Sequence, residues 1–213
     1  MKTVLCYGDS NTWGHNPHTK DRYDHHTRWP MVLKKLLNEG ASPDDPAYWV
    51  IEEGQNGRTT CREDPVGGDR NGLRQLIPIL ESHRPLDIVV FMLGTNDLKP
   101  RFSPLPYDIA CGGQRIVTAI QNSRTGPNNT SPKVLWICPP PTVKSPEFEH
   151  IFGDSVELSQ KLSPYFRQLA QESGAPLLDA GTVIRTSTAD GIHLDAGDHY
   201  KLAEAVAKMI RTM

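Results

Sequence analysis

The chain has 213 residues, with 23 lysines and arginines against 25 aspartates and glutamates, a formal net charge of −2. This near balance excludes the one-signed field that gathers nucleic acid or an anionic membrane surface, and it points to a small-molecule partner. The length suits one domain spanning 1–213 with a sizeable core.

The opening MKTVLCYGDS has only a short apolar run before Gly8 and Asp9, and no apolar run is long enough to cross a bilayer, so a cytoplasmic protein is expected. Short β-branched and apolar runs then alternate with helical patterns. KTVLCY reads as a strand, WPMVLKKLL as a helix, YWVIEE as a strand, GLRQLIPILESH as a helix and LDIVVFML as a strand. YDIACGGQRIVTAIQ follows as a helix, KVLWIC as a strand, SVELSQKLSPYFRQLAQES as one long helix, APLLDA as a strand and GDHYKLAEAVAKMIRT as the closing helix. Strands that are apolar without alternation belong in a parallel sheet covered on both faces. The fold class is therefore α/β, a three-layer α/β/α sandwich around a five-stranded parallel sheet, with the flavodoxin-like order that puts the first strand between the second and third.

Two long irregular stretches, HNPHTKDRYDHHTR after the first turn and PPPTVKSPEFEHIFGD after the fourth strand, are candidates for functional or interfacial loops. Cys6, Cys61, Cys111 and Cys138 are widely scattered with no zinc-type spacing, so reduced thiols are expected. No GxSxG elbow, P-loop or GxGxxG occurs. Glu52 and Glu53, as neighbours on a strand, point to opposite faces and cannot converge on a glycosidic bond.

Ligand chemistry in such a sheet gathers at the C-terminal strand ends. There the sequence puts Gly8-Asp9-Ser10 after the first strand, EEGQNGRTT after the second and Gly94-Thr95-Asn96-Asp97 after the third. With the expected strand order these loops are neighbours, so Ser10 faces backbone near Gly57 and the Asn96 amide. A serine hydroxyl needs a base, and the base needs a group that fixes its tautomer. Asp190 and His193, three apart before the last helix, supply that pair. The remaining histidines, including the four in the first long loop (His15, His18, His25 and His26), read as solvent-facing or structural. A second Gly-Asp-Ser at 153–155 enters a helix, where Asp154 or Ser155 reads as an N-cap.

Taken in order, Gly8-Asp9-Ser10, Gly57, Gly94-Thr95-Asn96-Asp97 and Asp190-Gly191-Ile192-His193 resemble the SGNH hydrolases of the GDSL esterase superfamily, from residue 4 to the last helix. The wording of GDSNTWG, IEEGQNGRTT, HRPLDIVVFMLGTNDLK and DGIHL is similar to bacterial arylesterases, some of which carry out acyl transfer or perhydrolysis. The resemblance implies a serine esterase for short acyl esters, with Ser10 as nucleophile, His193 as base and Asp190 as its partner. It implies an oxyanion hole from the Ser10 and Gly57 N–H groups and the Asn96 side chain, with no cofactor or metal requirement. A carbohydrate O-deacetylase using the same groups is the alternative, ahead of a noncatalytic binding domain. Trp13, Phe148, Ile151 and Phe152 are candidate substrate-binding residues, and a homo-oligomer is expected. Where the acyl-transferring relatives carry leucine and a second tryptophan, this chain has Asn11 and His15, which predicts a more polar entrance and weaker acyl transfer.

Overall fold

The computed structural model describes residues 1–153 and 155–213. Five parallel strands, β1 (Lys2–Gly8), β2 (Tyr48–Gly54), β3 (Ile88–Met92), β4 (Lys133–Cys138) and β5 (Leu177–Asp179), lie in the order β2-β1-β3-β4-β5. The first strand thus lies between β2 and β3, and Gly8 stands level with Gly54 on one side and Met92 on the other.

The inner strands β1, β3 and β4 read as near-continuous apolar runs because both sheet faces are covered there. Val4, Cys6, Val90, Leu135 and Ile137 point into one core with α2 (Trp29–Leu37) and α8 (Ala196–Ile210). Leu5, Tyr7, Phe91 and Trp136 point into the other, beneath α3 (Gly72–His83), α4 (Pro106–Gln121) and α7 (Leu162–Ser173). Trp136 lies between Phe91 and Phe166, with ring centroids 5.8 and 4.9 Å away. The two glutamates near the end of β2 follow the same alternation: Glu52 accepts from Arg28 Nε and Nη2, each at 2.6 Å, and Glu53 meets His83 at 2.8 Å. Both are structural contacts, made on opposite faces of the sheet.

The long helix expected over 155–173 is two helices, α6 (Ser155–Gln160) and α7, with the break at Lys161. Pro164 fits the break, since it has no N–H to give to the Gln160 carbonyl and falls in the first turn of α7, where that loss is least costly. The second irregular stretch also contains a short helix, α5 (Glu149–Phe152), where the sequence pattern shows only loop. Asp154 lies outside the described residues. Ser155 Oγ is 3.3 Å from the Thr142 hydroxyl, and among the described residues it makes no first-turn capping bond. No helix among the described residues is long and apolar enough to cross a membrane.

His199 on α8 fills a capping role at the start of α2. Its Nδ1 accepts the Trp29 N–H at 3.2 Å, so the proton of the neutral ring sits on Nε2. Burial, joined by the charge of His193, pulls its pKa down from 6.5 to about 3. The folded state therefore binds fewer protons than the unfolded chain between these values, and stability is lost as pH falls from 6.5 towards 3. In His199→Asn the Oδ1 can still accept the Trp29 N–H, and this pH slope is expected to flatten. Thermal midpoints of both proteins across pH 3.5–7 check this, the difference in slope isolating His199 from other groups.

Candidate active site

At the end of β1 the chain turns directly into α1 (Ser10–Trp13). Asp9 caps this turn, its Oδ1 accepting the Asn11 N–H at 2.9 Å and its carbonyl accepting from Thr12 and Trp13. Gly8 permits the reversal: a Cβ there would stand 2.1 Å from the Thr12 hydroxyl and 2.9 Å from the Met92 carbonyl. Ser10 becomes the first helical residue, its N–H in the unpaired first turn and its side chain at the end of the sheet.

His193 and Asp190 arrive from the loop before α8. Ser10 Oγ lies 2.9 Å from His193 Nε2, and His193 Nδ1 lies 2.7 Å from Asp190 Oδ2. The other Asp190 oxygen accepts the backbone N–H groups of Ile192 and His193 at 3.0 and 2.9 Å. Burial acts to raise the Asp190 pKa, but the His193 ring and these N–H groups outweigh it and hold the carboxyl down at about 2. An ionised Asp190 accepts the proton on Nδ1, leaving the Nε2 lone pair for the Ser10 hydroxyl. Asn11, expected at the entrance, is instead 1 % exposed, and its Nδ2 donates to the Ile192 carbonyl at 3.2 Å. It ties the serine turn to the histidine loop, a task its neighbour position to Ser10 did not reveal.

The second and third strand ends close the other side. Arg58 donates to the carbonyls of Gly8 and Glu53 while its guanidinium lies 4.2 Å over the Tyr7 ring. Gly57, one residue earlier, has φ +84°, a left-handed turn that glycine adopts without strain. Asp97 accepts the Thr60 N–H at 2.9 Å and its hydroxyl at 2.6 Å, and Asn96 Nδ2 donates to the Arg58 carbonyl at 3.2 Å. Burial pushes the Asp9 and Asp97 carboxyls up to about 6. Among the described residues, the N–H groups of Ser10 and Gly57 have no protein acceptor. Two free backbone donors and a side-chain amide thus border the Ser10 hydroxyl.

A pocket of about 210 Å³ opens over this group, lined by Ser10, Gly57 and Asn96 on the sheet side and by Phe148, Ile151 and Phe152 above. The three apolar residues named from the fourth-strand loop are thus brought to the site. Trp13 is not among the lining residues; its ring lies 6.4 Å from His15 and carries the Arg22 guanidinium at 5.3 Å. Four lining residues, His15, Asn56, Lys99 and Ile192, were not named as site residues from the sequence. His15, expected to be solvent-facing or structural, packs against His193 with ring centroids 4.0 Å apart and planes tilted by 40°, on a ring that also meets Phe148 edge-on at 5.8 Å. Burial and the nearby His193 charge lower its pKa to about 4. Lys99, just beyond the third strand-end motif, lines the pocket and reaches Asp64 at 3.4 Å.

A five-stranded parallel sheet carrying a hydrogen-bonded Ser-His-Asp chain and free N–H donors at its C-terminal edge is the framework of an α/β acyl-ester hydrolase. The chain belongs to the GDSL-like lipase/acylhydrolase family, whose sequence model matches residues 6–202. Among solved structures it is similar to a carbohydrate acetylesterase family member from Sinorhizobium meliloti, with 39% identity, a TM-score of 0.90 and coverage of 100% of this chain and 98% of that one. It is similar also to the native aryl esterase of M. smegmatis, with 37% identity, a TM-score of 0.91 and coverage of 100% and 99%. An acetylxylan esterase of Xylanibacter ruminicola is 24% identical across 98% of this chain, which spans only 43% of that relative's length. Esterase or acylhydrolase chemistry is thus established at the level of the family.

Proposed function

We propose that this protein is a serine esterase for short-chain acyl esters that works through an acyl-enzyme on Ser10. The observation that carries the reading is the continuous Ser10-His193-Asp190 chain, with links of 2.9 and 2.7 Å, opening into the 210 Å³ pocket. His193 Nε2 takes the Ser10 proton as Oγ attacks the ester carbonyl. The Ser10 and Gly57 N–H groups and the Asn96 amide stabilise the oxygen charge that develops only in the tetrahedral state. His193 then protonates the leaving alkoxide, and water repeats the sequence to release the acid.

Pocket size supports short acyl groups, since the volume lies below the roughly 300 Å³ at the lower end of ordinary ligand sites. The alternative leaving group is a sugar hydroxyl, and the polar His15 and Lys99 beside apolar Phe148 and Phe152 favour this second reading. The two named structural relatives carry both descriptions, one aryl esterase and one carbohydrate acetylesterase.

A p-nitrophenyl series from acetate to octanoate, run beside acetylated xylose and xylo-oligosaccharides, tests both features. Turnover is expected to fall steeply beyond the shortest acyl chains. Octanoate turned over as well as acetate would contradict the pocket argument. Catalytic efficiency that is higher on the sugar acetates than on the activated aryl ester would select the deacetylase reading.

A further inference from the structure

His15 is a polar pocket residue that the ester mechanism leaves without a task. Its Nε2 is buried and has no hydrogen-bond partner among the described residues, an arrangement that is uncommon for a buried polar atom. One ligand atom each from His15, Asp190 and His193 falls within 4.8 Å of the others, the only such grouping of three histidine, cysteine or acidic side chains among the described residues. We propose that His15 and His193, with Asp190 behind them, form a binding site for a divalent ion of the zinc type, and that occupancy of this site switches the esterase off.

The inhibitory half of this proposal rests on the catalytic reading of His193; the binding half does not. Imidazole nitrogen suits zinc, copper and nickel, whereas magnesium and calcium prefer oxygen ligands, and the one carboxylate here is taken up by the His193 ring and two backbone N–H groups. The Asp190–His193 contact has a second use here. A carboxylate holding one ring nitrogen of a histidine leaves the opposite nitrogen oriented for a metal, as outer carboxylates do in zinc sites. The His193 Nε2 lone pair would then be donated to the ion instead of to the Ser10 proton. Neutral His15 and His193 release no proton on binding through these lone pairs, and removal of the ion restores the base. His15 follows the cap of α1, its N–H bonded to the Ser10 carbonyl at 3.0 Å, so its backbone is fixed to the serine turn. Water completes the coordination.

The test measures zinc binding by calorimetry on Ser10→Ala, where turnover cannot interfere, and zinc inhibition on the active enzyme after dialysis against chelator. Expected are full activity in chelator, one zinc per chain in Ser10→Ala, and inhibition in the active enzyme that follows occupancy and is reversed by chelator. His15→Phe and His15→Gln, each placed in the Ser10→Ala background for calorimetry, should weaken binding about tenfold or more, as loss of a metal-supporting group typically does. The exposed His25–His26 pair, with rings 3.9 Å apart, is the competing surface site, and replacing both with alanine should leave binding unchanged. Zinc affinity unaltered in both His15 variants, no binding at millimolar zinc, or binding without inhibition would overturn the proposal. Failure of the catalytic reading would look different: no turnover by the chelated enzyme, with zinc binding intact.

Discussion

Ser10→Ala is expected to lower turnover of p-nitrophenyl acetate by about a million-fold, as loss of a triad nucleophile does in serine hydrolases. The substitution removes only the hydroxyl that stands 2.9 Å from His193 Nε2. The backbone of the turn should survive, because the Asp9 carboxylate and carbonyl, rather than Ser10 Oγ, hold the first turn of α1. Ser155→Ala supplies the control within the same three-letter sequence. Ser155 Oγ meets the Thr142 hydroxyl and no group of the serine-histidine chain, so this variant is expected to keep its activity. Steady-state rates of the three proteins on one ester check the pair. Comparable losses in both variants would show that the rate reports the stability of the fold and not the chemistry of Ser10.

The second large effect is expected from Asp190→Asn, about 10,000-fold in kcat, the size seen when the equivalent acid of a serine-protease triad is made an amide. The substituted side chain would keep an oxygen for the Ile192 and His193 N–H groups, so the loop has a means of holding its shape. The change falls on the other side, where an amide NH2 would face His193 Nδ1. That nitrogen would then act as acceptor, the ring proton would move to Nε2, and Nε2 could no longer take the Ser10 proton. A role in tautomer control predicts lost kcat with little change in KM. A purely structural role would lower the thermal midpoint and the recoverable protein along with the rate. Kinetics and thermal unfolding of the same preparation separate the two.

Much of this arrangement was legible in the sequence because its parts obey local rules. The inner strands announced themselves as near-continuous apolar runs, and the place of β1 between β2 and β3 brings Ser10 beside Gly57 and Asn96. Asp190 and His193 were legible for a similar reason: a three-residue spacing within one turn is enough for a carboxylate to reach both the ring and the backbone N–H of the histidine. The helix break at Lys161 agrees with Pro164, but Pro78 lies inside the unbroken α3, so a proline alone does not mark a break. His15 and Asn11 could not be placed by local rules. Both lie close to Ser10 in sequence, yet Asn11 turns inward to the Ile192 carbonyl while His15 returns over His193 after the left-handed Gly14. Such directions depend on long-range contacts with the loop at 190–193, which carries no local signal. The two irregular loops meet through Lys20 and Glu147, at 3.2 Å, a contact equally hidden from local sequence.

The most direct test of the central claim is to treat the protein with diethyl p-nitrophenyl phosphate, which traps an activated serine as a stable phosphoryl ester, and to locate the adduct by peptide mass spectrometry. One diethylphosphoryl group per chain is expected on Ser10, with p-nitrophenolate released in equal amount and esterase activity lost in step with labelling. An adduct on Ser155 or on another residue with Ser10 unmodified, or activity that persists in fully Ser10-labelled protein, would contradict the claim.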